Sequence, residues 1–326
     1  MMKSVFASVT CLCALGFGAL AHAAGGVAFT DAAAAPVDFQ YQGEYAGTID
    51  ADGSRWGAQV IALGGGKFHV VGYRGGLPGE GWTPGNEKNE IDGKLEGKLV
   101  EIEGPEFVIK IDGKNLTVET PDGEKLGALP KVERKSPTLG KAAPEGALVL
   151  FDGSNVDHWV NGELIEGKYL GATNVETKEK FGDHSLHLEF RAPFMPESTG
   201  QGRGNSGLYM QSRYEVQILD SFGLEGLENE CGGIYSISRP KLNMALPPLA
   251  WQTYDVDFTA AKYDASGKKT SNARATVRLN GVVIHDNLEL AHGTPGRLEE
   301  GPGDAPIFLQ DHGNPVVFRN IWVLKK

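Results

Sequence analysis

The stretch GNSGLYMQSRYEVQILD, residues 204–220, decides the fold more than any other part of the chain. Apolar and polar side chains alternate along it, and in a β-strand alternate residues share one face of the sheet. The pattern predicts a strand over residues 207–219 with an apolar core face. The core face comprises Leu208, Met210, Tyr214, Val216 and Ile218, and the opposite face comprises Tyr209, Gln211, Arg213, Glu215 and Gln217. Side chains of this second set hydrogen-bond in fixed directions, which suits a ligand covered with hydroxyls, although a solvated outer face is the alternative.

The rest of the C-terminal half predicts more strands and no helix. Asn280-Gly281 is a two-residue hairpin signal between two of these strands. Seven or more strands without intervening helices indicate an antiparallel sandwich. The predicted strands are 184–191, 207–219, 253–260, 274–280, 282–287, 306–310 and 316–324.

Residues 39–130 predict a separate, small antiparallel β domain of unknown role, because short apolar runs alternate with glycine turns such as Asp112-Gly113. It would be either a sandwich or a partly open barrel. Residues 24–38 are rich in alanine and predict a flexible lead-in. Residues 131–145 contain Pro137 and Pro144, which remove donors from a sheet, and predict a linker to the C-terminal domain, residues 146–326.

The N-terminus predicts export. Lys3 is followed by an apolar run over residues 5–20 and by Ala21-His22-Ala23, the pattern of a cleaved secretory signal. The mature protein would then be periplasmic or secreted, without a membrane span. A net charge of −11 argues against a nucleic-acid partner. Cys231 would remain as the single cysteine, which excludes an internal disulfide.

The C-terminal half contains an ordered set of motifs besides residues 204–220. They are Phe151-Asp152-Gly153, Trp159, Asn280-Gly281, His285-Asp286-Asn287, Gln310-Asp311-His312-Gly313 and Phe318-Arg319-Asn320-Ile321. Together these residues closely resemble the bacterial 3-keto-disaccharide hydrolase domain family over about residues 145–326. The resemblance implies a concanavalin-like jelly roll of two curved sheets that acts on 3-keto-glycosides.

Cleavage next to a ketone requires a base near C2, a group that stabilises the C3 oxyanion, and an acid for the leaving oxygen. Glu215 or His312 would be the base. Arg203, Gln310 or a metal would stabilise the oxyanion. The predicted substrate-binding residues are Glu189, Arg203, Tyr209, Gln217, Asp220 and Gln310.

Three alternatives stay open at this point. A conventional glycoside hydrolase would pair Glu215 with Glu189 on neighbouring strands, although the neutral Gln217 is unlike the carboxylate expected in such a dyad. A lectin-like binding module would have the same fold without catalysis. A divalent metal is a further option through Asp220, His285-Asp286 or Asp311-His312, whose spacing follows no recognised motif. The sequence does not indicate an oligomeric state.

Overall fold

The computed structural model describes residues 26–326, and nearly all of its regular structure is β-strand. The predicted secretory signal lies outside the described residues, so export stays a prediction. No helix among residues 26–326 is long and apolar enough to cross a membrane. The helical elements are two 3₁₀ turns, Ala32–Ala34 and Gly200–Gly202, and one α-helix, Asp38–Tyr41.

The N-terminal β domain is a closed eight-stranded barrel. The strands of this part are β1 (Gly43–Thr48), β2 (Arg55–Ala62), β3 (Lys67–Arg74), β4 (Leu77–Pro78), β5 (Gly81–Trp82), β6 (Lys88–Glu96), β7 (Leu99–Glu103), β8 (Val108–Ile111), β9 (Asn115–Glu119) and β10 (Lys125–Val132). The barrel has the order β1-β10-β9-β8-β7-β6-β3-β2, and all of its pairs are antiparallel. Closure leaves no free sheet edge, which protects so small a domain from pairing with other chains. The short β4 and β5 pair only with each other.

The C-terminal domain is built on two large antiparallel sheets, which confirms the predicted all-β class. Its strands are β11 (Leu148–Phe151), β12 (Trp159–Val160), β13 (Leu164–Ile165), β14 (Tyr169–Gly171), β15 (Val175–Thr177), β16 (His184–Arg191), β17 (Ser206–Met210), β18 (Tyr214–Ile218), β19 (Gln252–Thr259), β20 (Lys262–Tyr263), β21 (Lys269–Ser271), β22 (Ala273–Leu279), β23 (Val282–Leu290), β24 (Phe308–Leu309) and β25 (Val317–Lys325). The large sheet has the order β13-β14-β25-β16-β19-β22-β23, with β11 also paired to β25, and the small sheet has the order β12-β15-β24-β17-β18. Strands β20 and β21 form a separate antiparallel pair.

The core of this domain lies between the two sheets. Leu186, Leu188 and Phe190 of β16 face inward from the large sheet, and Leu208 and Val216 face inward from the small one. All five are at most 1% exposed. Burial of each such side chain contributes about 1.5–3 kcal/mol, so this set fixes which face of β17 and β18 points away from the core.

Residues 26–38 are not the flexible lead-in that their composition predicts. Phe29 forms an antiparallel bridge with Phe194, and the rings of Phe29 and Phe39 both pack against the Phe194 ring. Phe194 follows the sandwich strand β16, yet it is completely buried in the core of the barrel. Aromatic burial therefore fixes the lead-in and also joins the two β domains.

The predicted linker is attached to the outer face of the large sheet. Thr138 Oγ1 and Lys141 Nζ donate hydrogen bonds to the Asp255 carboxylate, and the Gly140 backbone N–H donates to Glu189 Oε1. Pro137 lies against the Asn280-Gly281 turn, where a side chain on Gly281 would collide with its ring. The segment thus covers polar groups of the sheet that would otherwise be exposed to water.

Candidate active site

The candidate site lies on the outer face of the small sheet and is centred on Gly207. Tyr209 pairs with Glu215 across β17 and β18, Gly207 pairs with Gln217, and the Gln310 backbone N–H donates to Gly207 O. Residues directly opposite each other in an antiparallel pair share a face, so these side chains surround the bare α-carbon of Gly207. A β-carbon on Gly207 would collide with Glu215 Oε1 and approach Tyr209 Cε2 to 2.9 Å.

Glu215 carries the unusual electrostatics of this face. Glu215 is only 3% exposed, and burial raises the pKa of its carboxyl to about 7, while the Tyr209 hydroxyl acts in the opposite direction. No charged group among the described residues contributes to this pKa shift. The site therefore holds one carboxyl group that is divided between acid and base near neutral pH.

Three groups border Glu215. The Thr294 hydroxyl accepts a hydrogen bond from the Glu215 backbone N–H, and Gln310 Nε2 donates to the Tyr209 hydroxyl at 3.3 Å. The Tyr209 hydroxyl donates its own hydrogen to Pro295 O at 3.4 Å, and burial raises the pKa of Tyr209, so the phenol stays protonated. Residues 232–235 run along the outer edge of β18, and the Tyr235 N–H is directed at Glu215 O. Tyr235 itself is half-buried beside Glu215.

An amide cluster lies on the other side of Gly207. Gln201 Oε1 accepts from Asn205 Nδ2 at 3.1 Å and from Gln217 Nε2 at 3.3 Å. Asn205 and Gln217 are at most 2% exposed, while Gln201 is half-buried. Of the predicted substrate-binding residues, the structure therefore brings Tyr209, Gln217 and Gln310 together with Glu215.

Arg203 and Asp220 form an ion pair instead of facing this cluster. Arg203 Nε lies 2.7 Å from Asp220 Oδ2, and its Nη1 donates to Ala62 O at the end of barrel strand β2. No hydrogen bond connects either residue with Glu215 or Gln217 within the described chain. Their predicted role in substrate binding stays a prediction. In the structure they lie at the junction of the two β domains.

The expected position of Glu189 beside Glu215 is wrong. Glu189 belongs to β16 of the large sheet, whereas Glu215 belongs to β18 of the small sheet. Glu189 accepts hydrogen bonds from Gly140 N–H, Asn320 Nδ2 and Arg319 Nε. Burial raises its pKa, but hydrogen bonds from His187, Asn320 and Arg319 outweigh burial and lower the pKa to about 2. Glu189 is thus ionised at neutral pH and holds the linker against the large sheet.

His312 does not reach Glu215 through any hydrogen bond or ion pair of the described residues. Strand β24 ends at Leu309, and the chain then turns at residues 311–313, where Asp311 Oδ1 accepts a hydrogen bond from the Gly313 N–H. His312 lies in this turn and is exposed. His285, a proposed metal ligand, is buried with Nε2 2.7 Å from Gly232 O. Residues 26–326 contain no group of three or more His, Cys, Asp or Glu side chains arranged to hold a metal ion.

Sequence reasoning missed several members of the site. Gly207 opens the predicted strand, but the alternation does not show that its bare α-carbon makes room for Glu215. Gly232-Gly233-Ile234-Tyr235 carries only a weak signal for an edge strand. Gln201 and Thr294 lie in loops, where no periodicity indicates which way a side chain points.

Comparison with known proteins supports a carbohydrate-related role for this domain. A family model for the 3-keto-α-glucoside-1,2-lyase-like domain matches residues 146–324. The chain is 32% identical to a "putative glycosyl hydrolase" from Parabacteroides distasonis solved at 2.13 Å, with a TM-score of 0.51 over 56% of this chain and 85% of that chain.

Two further solved structures from Parabacteroides distasonis, with the same description, are more distant. One is 18% identical with a TM-score of 0.41, over 56% of this chain and 94% of that chain. The other is 21% identical with a TM-score of 0.40, over 55% of this chain and 99% of that chain. No curated protein matches the chain.

Proposed function

Because the chain belongs to the 3-keto-α-glucoside-1,2-lyase-like domain family, we propose that the site around Gly207 cleaves the glycosidic bond of 3-keto-glycosides, with Glu215 as the base. The single observation that carries the proposal is the Glu215 carboxyl, which is buried, has no charged partner within residues 26–326 and has a pKa of about 7. Such a group can take a weakly acidic proton near neutral pH, which a binding module does not need.

The reaction starts at the carbon next to the ketone. Glu215 takes the C2 proton, and the C2–H electron pair forms a C2=C3 enediolate with its negative charge on the C3 oxygen. An electron pair on the C3 oxygen then re-forms the ketone, and the C2=C3 pair moves to form a C1=C2 bond. The C1–O bond breaks, and its electron pair leaves with the oxygen. That oxygen takes the proton that Glu215 removed from C2, which returns Glu215 to its carboxylate form. Addition of water across C1=C2 gives the hydrolysed 3-keto-sugar, so the net reaction consumes one water.

Two neighbours of Glu215 are suited to the C3 oxygen. Gln310 Nε2 has a second N–H beyond the one that it donates to Tyr209. The protonated Tyr209 hydroxyl would turn to the C3 oxygen from its long 3.4 Å contact with Pro295 O. Neutral donors placed at a developing oxyanion typically contribute about 10²–10³ in rate each.

A conventional glycoside hydrolase is disfavoured by the same geometry. It needs two carboxylates across the scissile bond, and retention or inversion depends on their separation. Glu189, the predicted partner of Glu215, lies on the other sheet and is held ionised by three hydrogen-bond donors. This placement favours chemistry that starts from a single base.

A panel of glycosides tests the proposal. We expect purified protein to cleave 3-keto-glycosides and leave the matching unoxidised glycosides intact, with slower turnover when C2 carries deuterium. Activity with and without a chelator would reveal a metal requirement. Cleavage of unoxidised glycosides at a similar rate would contradict the elimination mechanism, and binding without any turnover would identify a lectin-like module.

Replacement of Gly207 by alanine should lower kcat/KM by about 10²-fold, because the new methyl group would displace the Glu215 carboxylate by roughly 1 Å from its position. Gly202→Ala is the matched control, since a β-carbon at Gly202 meets nothing within 4 Å. Steady-state kinetics on the 3-keto substrate would check both variants. Equal activity of Gly207→Ala and wild type would show that the bare α-carbon is not needed.

A further inference from the structure

The central residues of the candidate site are covered in this structure. Tyr209 is 1% exposed, and Phe308 and Glu215 are each 3% exposed. Tyr209 lies directly opposite Phe308 on one neighbouring strand and opposite Glu215 on the other, so the three side chains form one row on the outer face of the small sheet. Because this face points away from the core, another segment of the chain must lie over the row.

The covering segment is the turn at residues 295–297, which we call the lid. A β-carbon on Gly296 would come within 2.7 Å of the Tyr209 hydroxyl oxygen, so the lid backbone lies against that hydroxyl. The guanidinium carbon of Arg297 lies 4.5 Å from the centre of the Phe308 ring. All three lid residues are themselves exposed. The lid is therefore a single layer of chain between the site and water.

The two ends of the lid are anchored, but the lid itself is not part of any backbone ladder. The Thr294 N–H donates to Arg213 O at 2.8 Å, and the Leu298 N–H donates to Ser212 O at 2.9 Å. Between these anchors, residues 295–297 form no backbone–backbone hydrogen bond with any other part of the described chain. Segments that are exposed and have so few backbone hydrogen bonds are the ones that open locally.

Two side-chain contacts hold the lid closed. The Tyr209 hydroxyl donates to Pro295 O at 3.4 Å, which is long for a hydrogen bond. Arg297 forms an ion pair with Glu176, which lies on β15 beside β24. The side chains of this pair are 38% and 28% exposed, and exposed ion pairs hold only weakly and are screened by salt. Both contacts can therefore break while the rest of the domain stays folded.

The lid and the keto group of a ligand compete for the same donor. The Tyr209 hydroxyl has one hydrogen to donate, and in the closed lid that hydrogen is directed at Pro295 O. A carbonyl oxygen can only accept, so a keto oxygen can replace Pro295 O as the acceptor. It can do so only if the lid moves, because Gly296 lies against the same hydroxyl.

We propose that residues 295–297 form an autoinhibitory lid, latched by the Arg297–Glu176 ion pair, which must open before a sugar reaches Glu215. The inference rests on the proposed function for the identity of the ligand as a 3-keto-sugar. The Pro295 carbonyl keeps the Tyr209 hydroxyl occupied until the keto group replaces it. Because only the open state binds, the apparent affinity for the sugar is reduced by the fraction of molecules that are open.

Carboxyl labelling without any sugar tests the lid. A water-soluble carbodiimide with glycine ethyl ester would label Glu215 at a rate set by the open fraction, measured by mass spectrometry relative to the exposed Glu145. Glu176→Gln keeps the shape of the latch but removes its charge. We expect it to speed Glu215 labelling by about two- to five-fold, the range for loss of an exposed ion pair. Wild type in high salt should approach the same rate, because salt screens the pair.

Two controls separate opening of the lid from other changes. Glu289→Gln removes an exposed carboxylate that pairs with Arg274 on the large sheet, and it should leave Glu215 labelling at the wild-type rate. Glu189 is 0% exposed beneath the linker, so it should stay unlabelled in every variant. The kcat/KM of Glu176→Gln on a 3-keto-glycoside should rise by the same factor as its Glu215 labelling, because both follow the open fraction.

The outcomes separate this inference from the proposed function. Equal labelling of Glu215 in wild type, in Glu176→Gln and in high salt would overturn the lid, and so would labelling of Glu189 together with Glu215, since the whole domain would then be opening. Faster labelling with unchanged kcat/KM would overturn autoinhibition. Faster labelling of Glu215 alone, without turnover of any 3-keto-glycoside, would uphold the lid and overturn the function. If Glu176→Gln fails to fold, the salt series on wild type still decides.

Discussion

Glu215→Gln should lower kcat/KM on a 3-keto-glycoside by about 10²–10⁴-fold, the usual cost of removing a general base. Glutamine has the same shape as the neutral carboxyl, so the Glu215 side chain can be replaced without opening a cavity beside Gly207. Its amide cannot take a proton. We therefore expect the affinity for the sugar to change only a few-fold while turnover is lost.

Glu299→Gln is the control, because it removes a carboxylate from an exposed position on the loop that follows Thr294. Steady-state rates and calorimetric affinities on both variants would separate catalysis from binding. Wild-type turnover by Glu215→Gln would remove Glu215 from its role as base. Equal loss of affinity and turnover would instead assign it to binding.

The raised pKa of Glu215 also predicts opposite pH dependences for activity and stability. The base must be ionised, so kcat/KM should rise with pH through about 7 and then level off. The folded protein prefers the neutral carboxyl, because its pKa in the fold exceeds the ordinary 4.5. That preference is fully present below pH 4.5 and is lost as the pH rises through 7.

The stability difference has a measurable size. A shift from 4.5 to about 7 corresponds to about 3 kcal/mol of folding free energy, which wild type loses relative to Glu215→Gln between pH 4.5 and pH 8. Denaturant unfolding of the two proteins at both pH values would measure it. A difference that is independent of pH would contradict the raised pKa.

Strand parity correctly predicted that Tyr209, Glu215 and Gln217 share a face. The single strand expected over residues 207–219 is a hairpin, and Gln211 and Arg213, expected on the same face, lie in its turn. Met210 pairs with Tyr214 across a three-residue turn. Residues paired directly share a face, and the odd loop length preserves the even–odd pattern, so Tyr209, Glu215 and Gln217 stay together. Gln211 and Ser212 adopt positive φ of 52° and 50° in the turn, without the asparagine or glycine that normally signals it.

The position of Glu189 could not be predicted in the same way. Alternation along β16 shows that Glu189 points away from the core, but it does not show which of two sheets contains the strand. Sheet membership depends on long-range pairing, here of β16 with β19 and β25. The docked linker is a further result of tertiary contacts, since hydrogen bonds from Thr138 and Gly140 to the large sheet leave no periodic signal.

Arg203→Met should lower the free energy of unfolding by about 3–5 kcal/mol, the cost of leaving a buried charge without its partner. The side chains of Arg203 and Asp220 are only 8% and 1% exposed, and they lie 2.7 Å apart. Removal of the guanidinium would leave the Asp220 carboxylate buried with one weak donor, the Phe222 backbone N–H at 3.4 Å.

The same variant decides whether Arg203 binds substrate. Its guanidinium joins the sandwich to Ala62 of the barrel, and Phe222, which follows Asp220, packs with Ile61 and Val71. If the pair serves this junction, the double variant Arg203→Met/Asp220→Leu should recover most of the lost stability, because an apolar pair can replace a buried ion pair of similar volume. Both variants should keep kcat/KM within a few-fold of wild type at temperatures where they remain folded. If the stable double variant instead loses 10²-fold or more in kcat/KM, the guanidinium binds the substrate, as the sequence predicts. Its loss would then lower catalysis even though the stability of the fold had been restored.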